Sequence, residues 1–308
     1  MRLNPRSPED LSQQLNAARI SGSRVDHCDL AELNQVLEYH PEDMTATVQA
    51  GVSLSKLQGL LHTHRQWLPL DPPLSESLSI GELISQNANG PRRYGYGTVR
   101  DYVIGMKIAL ADGQIIKSGG KVVKNVAGYD LCKLFIGSKG TLGIITEATF
   151  KLRPLPEKEL IVQAFFDTLD QLDSTAERIL QSEIEPVIFD ADNLEDRFRL
   201  VLAMAGASED VEAQARAAAD LGFNEAATLD VQLQFCALEQ IRQVSVLPSM
   251  TAKFLQKILP AYFVARYGNG VIYTLAALPN LKPAPPLNLT HRIKSAYDPT
   301  GVFPHLEL

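Results

Sequence analysis

Ser79-Ile80-Gly81-Glu82-Leu83-Ile84-Ser85-Gln86-Asn87-Ala88-Asn89-Gly90 carries the strongest fold signal of the chain. A small hydroxyl residue, a glycine and an apolar run ending in Asn-Ala-Asn-Gly read as a ligand loop that leads into a helix. Glycine lets backbone N–H groups approach a phosphate closely, and a helix N-terminus adds a favourable dipole. Alone, the run reads more readily as a plain turn, so its neighbours must decide.

Downstream, Val103 to Leu110 reads as a strand, Asp112-Gly113 as a hairpin turn and Gln114 to Lys117 as the returning strand. Tyr129 to Ile136 reads as a short helix. Gly137, Gly140 and Gly143 punctuate a tight loop before a strand from Ile144 to Leu152, and Pro154 and Pro156 mark a boundary. Upstream, Ser7-Pro8-Glu9-Asp10 carries the signals of a helix start, with Leu11 and Leu15 on one face and Gly22 as the stop. Thr45 to Ala50 alternates with period two, as a half-buried strand does, and Leu54, Leu57, Leu60 and Leu61 have helical spacing. An extended Pro- and Ser-rich loop, with Pro72 in it, joins Trp67 to Ser79.

Beyond Pro156 the texture changes. Strands are expected at Leu160–Phe166, Phe198–Met204, Val244–Val246 and Gly270–Ala276, and helices at Leu169–Gln181, Ser208–Leu221 and Met250–Leu259. Such repetition fits a small α+β unit with helices on one face of an antiparallel sheet. Pro283, Pro285 and Pro286 then form a linker to a last helix, Leu289 to Tyr297.

Composition limits the function classes. The 308 residues are 45% hydrophobic and 21% charged, with a net charge of −7. That is the balance of an ordinary globular protein, and its acidity disfavours nucleic acid as a partner. No window reaches the ~18 apolar residues of a membrane span, and no apolar segment follows the basic residues of MRLNPRSPEDL, so a cytoplasmic location is expected. The three cysteines, Cys28, Cys132 and Cys236, lie far apart and read as small buried hydrophobes.

The blocks from Ser79 to Gly90, Arg100 to Gly105, Ala111 to Gly113, Lys124 to Leu131 and Gly137 to Ala148, in that order and spacing, resemble the FAD-binding domain of the vanillyl-alcohol oxidase and p-cresol methylhydroxylase (PCMH) superfamily. Asp29 to Leu61 looks like that family's first sheet region, and Arg292-Ile293-Lys294, Asp298-Pro299 and Gly301-Val302-Phe303 look like its closing helix and tail. Gly90-Pro91-Arg92-Arg93 and Lys124 to Leu131 look most like the second flavin-domain subunit of bacterial glycolate oxidase.

The resemblance implies an α+β chain. A two-subdomain PCMH-type FAD-binding fold would occupy residues 1–154. A shortened α+β cap with an antiparallel sheet would follow over 155–285, and 286–308 would return to the first domain. It implies FAD lying against Pro72, Ser79, Ile80, Gly81, Glu82, Ser85, Asn87, Gly90, Gly140, Thr141, Gly143, Ile144 and Ile145. Ser79 to Ser85 would flank the pyrophosphate, and Gly140 to Ile145 the adenosine side or the ring. It implies oxidation of glycolate or a related small 2-hydroxy acid, beside a larger catalytic flavin subunit and an iron–sulfur subunit. A non-catalytic interaction subunit that keeps the fold without the flavin is the alternative.

Three departures bear on the cofactor. The glycine-rich phosphate loop of the family has no counterpart in Ser21 to Cys28. Gly81-Glu82 stands where two glycines are usual, and a carboxylate ~4 Å from a phosphate is repelled by roughly 4 kcal/mol, with backbone strain added if the position needs positive φ. Phe303-Pro304-His305-Leu306 lacks the usual Asn-Pro-Gly. Arg92 and Arg93 read as a substrate-carboxylate or partner site, or as a solvated basic pair. Lys121 and Lys124 suit a phosphate or a solvated strand edge, and Tyr129-Asp130 a structural hydrogen bond. His62 and His64 are not at metal-ligand spacing. No general base is identifiable.

Overall fold

The computed structural model describes residues 1–120, 131–195, 197–278 and 287–305. The first helix, Pro8–Ser21, forms where its caps dictate. The Ser7 side chain accepts from the Asp10 amide, and Gly22 closes the helix at φ 65° with its N–H on Ala18 and Arg19. It bridges two short parallel strands, Arg2–Leu3 and His27–Cys28.

A five-stranded antiparallel sheet follows, ordered Val36–His40, Thr45–Gln49, Ile144–Lys151, Val103–Ala109, Ile115–Gly119. The central strand Ile144–Lys151 is buried along nearly its whole length. The helices Leu54–His62 and Ile80–Gln86 pack on the sheet through Leu54, Leu57, Leu61, Ile80, Leu83 and Ile84. The period-two run at Thr45 and the helically spaced leucines after it therefore fold as their spacing predicts. The expected helix at Tyr129–Ile136 is Cys132–Phe135 within the described residues. Lys121, Lys124, Tyr129-Asp130, the linker prolines 283, 285 and 286, and Leu306 lie outside them.

Residues 158–274 form a seven-stranded antiparallel sheet, ordered Glu225–Ala226, Lys158–Phe166, Phe198–Gly206, Ile188–Asp192, Phe263–Arg266, Val271–Thr274, Arg242–Ser245. The helices Leu169–Leu180, Ser208–Asp220 and Thr251–Ile258 bury one face. A further helix, Asp230–Cys236, lies against the other face, with Leu229 and Leu233 packed on Ile188, Val201 and Ala203. The expectation of helices on one face alone is corrected by this element. The strands Ile188–Asp192 and Phe263–Arg266 are additions to those expected from the sequence.

That second face carries buried ions. Asp190 accepts from Arg266 Nη1 at 2.5 Å, and Asp192 from Arg199 Nε at 3.0 Å and from Gln232 Nε2 at 2.6 Å. Burial pushes the Asp190 carboxyl up to about 7 against the pull of Arg266. Each ion is paired, as burial demands.

The two halves meet at Arg92. Its guanidinium donates from Nη1 to Asp71 at 2.9 Å and, bidentately, to Glu159 at 3.0 and 2.6 Å. It also lies over the Trp67 ring, 5.7 Å from the centroid. Asp71 belongs to the loop before Ser79, and Glu159 to the first strand of the seven-stranded sheet. Beside it the Gly95 amide donates to Val187 at 3.1 Å, and a Cβ on Gly95 would sit 2.6 Å from Val187 Cα. Arg92 is neither a solvated cation nor a free carboxylate ligand, because both its edges are already committed.

Breaking a buried pair by deleting one partner costs about 3–5 kcal/mol. Arg92 and its two partners stay partly exposed, so Arg92→Met is expected to lower unfolding stability by up to that amount in urea titrations. Arg92→Lys should recover only part of it, since an ammonium cannot form the fork. A loss below about 1 kcal/mol would show the pair to be ornamental.

Candidate functional site: a cleft over the central strand

A cleft of about 460 Å³ opens between the N-terminal βαβ unit and the five-stranded sheet. One wall is the segment Val25 to Ala31, which begins inside the Ser21–Cys28 interval that the sequence marks as shortened. The opposite wall is the start of the Ile80–Gln86 helix. The floor is Gly140, Gly143, Ile144 and Ile145, and Phe303-Pro304 close one end. Among the described residues, none of the seven-stranded sheet lines it.

Of the residues assigned from sequence, Ser79, Gly81, Glu82, Ser85, Gly140, Gly143, Ile144 and Ile145 meet at this cleft. The other five do not face it. Ile80 is fully buried in the core, and Pro72 is buried in its loop. Asn87 is the left-handed C-cap of the helix, at φ 51°. Gly90 lies against the backbone of Asp71, where a Cβ would come within 1.8 Å of the carbonyl oxygen. Thr141 is buried, its hydroxyl donating to Ser138 O at 2.7 Å. Asp26, His27, Cys28, Asp29 and Lys139 line the cleft without having been singled out as site residues. Their only sequence signal is their place beside the missing loop.

The closing tail is tied down by a buried ion pair. Lys294 Nζ donates to Asp298 at 2.5 Å, to Thr141 O at 2.7 Å and to Phe303 O at 3.2 Å. Asp298 in turn accepts from the Val302 and Phe303 amides at 2.8 and 2.9 Å. These bonds hold the tail to Thr141, and Phe303 lines the cleft.

Whether these residues fit a bound FAD turns on its diphosphate, which needs free N–H donors or cations. At the start of the Ile80–Gln86 helix the donors are already used. The Glu82 carboxylate accepts from the Ser79 amide at 3.0 Å and from its hydroxyl at 2.7 Å. The Glu82 amide donates back to Ser79 Oγ at 3.2 Å. Ile80 and Gly81 donate to Val52 O and Ala50 O at 2.8 and 2.7 Å. This is a capping box, and Ser79-x-x-Glu82 is its sequence signature. Glu82 therefore sits in regular helix with no positive φ and no strain, contrary to one expectation, and its exposed side chain moderates the other.

The glycines point the same way. A Cβ on Gly51 would meet Leu30 O at 1.9 Å, and on Gly143 would meet Ile108 Cγ2 at 2.7 Å, so both serve chain packing. Gly140, at φ 71°, alone of these opens onto empty space. The charged lining is Asp26, Asp29 and Glu82 against Lys139. The apolar floor and end suit a planar ring, but the polar end does not fit a diphosphate.

Cys28 lines the cleft as an inert group. Burial pushes its thiol up to about 12, with Asp29 adding to the shift. Among the described residues no cluster of His, Cys, Asp or Glu could hold a metal ion, and no helix is long and apolar enough to cross a membrane.

Comparison with known proteins identifies the first sheet and its surroundings. Residues 27–119 match the family model of an FAD binding domain. Over 154 residues the chain is 44% identical to glycolate oxidase subunit GlcD of Bacillus subtilis, covering 50% of this chain and 33% of that subunit. Over 147 residues it is 35% identical to glycolate oxidase subunit GlcE of Escherichia coli, covering 47% of this chain and 42% of the relative. The matched stretches thus span less than half the length of these relatives. The architecture extends further than the sequence likeness. A solved structure of alkyldihydroxyacetonephosphate synthase superposes with a TM-score of 0.71 over 98% of this chain and 75% of its own, at 19% identity. The α+β fold, with an FAD-binding-type domain and an antiparallel sheet region, is therefore shared.

Removing the Lys294 charge while leaving Asp298 buried is expected to cost about 3–5 kcal/mol. Lys294→Met should accordingly show a lower urea midpoint, and limited proteolysis should cut near Phe303 first. An unchanged midpoint with an intact tail would show that the latch is dispensable.

Proposed function

We propose that this chain is a subunit of an FAD-linked oxidoreductase of the glycolate oxidase type, acting in a complex that oxidises a small 2-hydroxy acid. The observation that carries this reading is its likeness, over about half its length, to two glycolate oxidase subunits. Its partners would be a larger catalytic flavin subunit and an iron–sulfur subunit. Three dispersed cysteines cannot supply a four-cysteine cluster, so any such centre belongs to a partner.

Within such a complex the chain would either carry its own FAD or position a subunit that does. A flavin, when bound, accepts the hydride, and the protein supplies orientation and electrostatics. The filled amides and the acidic lining at Glu82 favour the second role, an interaction subunit built on an FAD-binding fold. Deletion of the N-terminal phosphate loop is part of the same proposal, with the Val25 to Ala31 segment taking the place of the loop at the cleft. Domain limits of 1–154, 155–285 and 286–308 go with it.

Co-expression with the two partner subunits tests the reading. The chain is expected to co-elute in a stable complex that oxidises glycolate with a dye acceptor, and activity should fall when the chain is left out. A lone monomer that carries its own flavin and turns over glycolate would contradict it.

A further inference from the structure

The cleft has the walls of a nucleotide site and the charges of something else. Three acidic residues, Asp26, Asp29 and Glu82, line it against one lysine, Lys139, and Asp26 is held by the Met1 amino group at 2.7 Å. Lys139 is itself held in the left-handed region at φ 51°, with its amide on Ser85 O at 2.8 Å. Asp29 is fixed by its own turn, since Oδ1 accepts from the Ala31 amide at 3.0 Å and its amide donates to Leu3 O at 2.9 Å. Glu82 is fixed by the two bonds from Ser79. Asp26 is already paired with the Met1 amino group and Arg24, so Asp29 and Glu82 are the carboxylates left to oppose a second anion.

We infer that this cleft excludes the diphosphate of a dinucleotide such as FAD, and that the Glu82 carboxylate is the residue chiefly responsible. The seven-residue helix behind Glu82 offers no anion site of its own, because its leading amides are all bonded within the chain. The inference rests on the cleft alone and does not require the complex proposed above, whose test concerns partners and turnover. Failure of one therefore leaves the other standing.

Glutamine is the informative replacement. A glutamine at the third helical position keeps the reciprocal bond to the Ser79 amide while deleting the charge. A change in ligand affinity then cannot come from an unravelled helix, and an unaltered melting temperature verifies this. Glu82 is exposed, so its repulsion is also open to screening by salt.

Titration calorimetry on the full chain, wild type against Glu82→Gln, with FAD and with phosphate-free riboflavin, tests the assignment. At low salt FAD is expected to bind Glu82→Gln at least about tenfold more tightly than wild type, equivalent to ~1.4 kcal/mol. At about 1 M salt, where the Debye length is ~3 Å, that ratio should shrink toward one. Riboflavin, which carries no phosphate charge, should show a ratio near one throughout. Equal FAD affinity for the two proteins at low salt, including equal failure to bind, overturns the assignment to Glu82. So does a matching gain for riboflavin, which would make the effect one of space and not of charge.

Discussion

The Arg92 guanidinium is the interaction on which the two halves depend. It holds both the loop before the Ile80–Gln86 helix, through Asp71, and the first strand of the seven-stranded sheet, through Glu159. Burial pushes the Asp71 carboxyl up to about 6 even with Arg92 pulling against it. Both ions have therefore left much of their water behind, and each would be costly to leave alone. Around this centre the packing is backbone-close. Gly95 admits Val187, Gly268 admits the Tyr94 ring, and Trp67 stacks edge-on against Tyr96 at 5.2 Å.

Among the described residues, the seven-stranded sheet contributes nothing to the cleft. Its sheet face on the side of the Asp230–Cys236 helix is filled by its own ion pairs and by Gln232, Val201 and Ala203. Asp190 Oδ1 and Arg266 Nε on that face have no hydrogen-bond partner of their own among the described residues, yet both side chains are buried within it and neither lines the cleft. The chain thus shares an α+β architecture that contains an FAD-binding-type domain, and Asp29 and Glu82 stand among the residues lining its cleft. A fold can be common to proteins whose sites are not, because function lives in particular groups at particular distances.

Local signals carried much of the fold into the sequence. The Ser7 cap and Gly22 stop, the alternation at Thr45 and the Asp112-Gly113 turn each act through neighbours a few residues away. Ile188–Asp192, the central strand of the second sheet, was illegible for the opposite reason. Asp190 and Asp192 break its apolar pattern, and the arginine that makes Asp190 tolerable is 76 residues distant. The site was legible in part. Eight assigned residues meet at the cleft because glycines and small polar groups mark the loops there. Gly90, Ile80 and Thr141 look alike in sequence, yet they pack against the chain itself. The capping role of Glu82 is written in the Ser-x-x-Glu spacing, which coincides with the position that the family resemblance assigns to a phosphate.

What sets this chain apart is a flavin-type cleft whose diphosphate position is closed by its own carboxylate. A crystal structure grown in excess FAD tests that most directly. The expected result is the Glu82 carboxylate still on the Ser79 amide and no diphosphate beside it. A diphosphate bonded at Ser79 and Gly81, with Glu82 swung out to solvent, would contradict it.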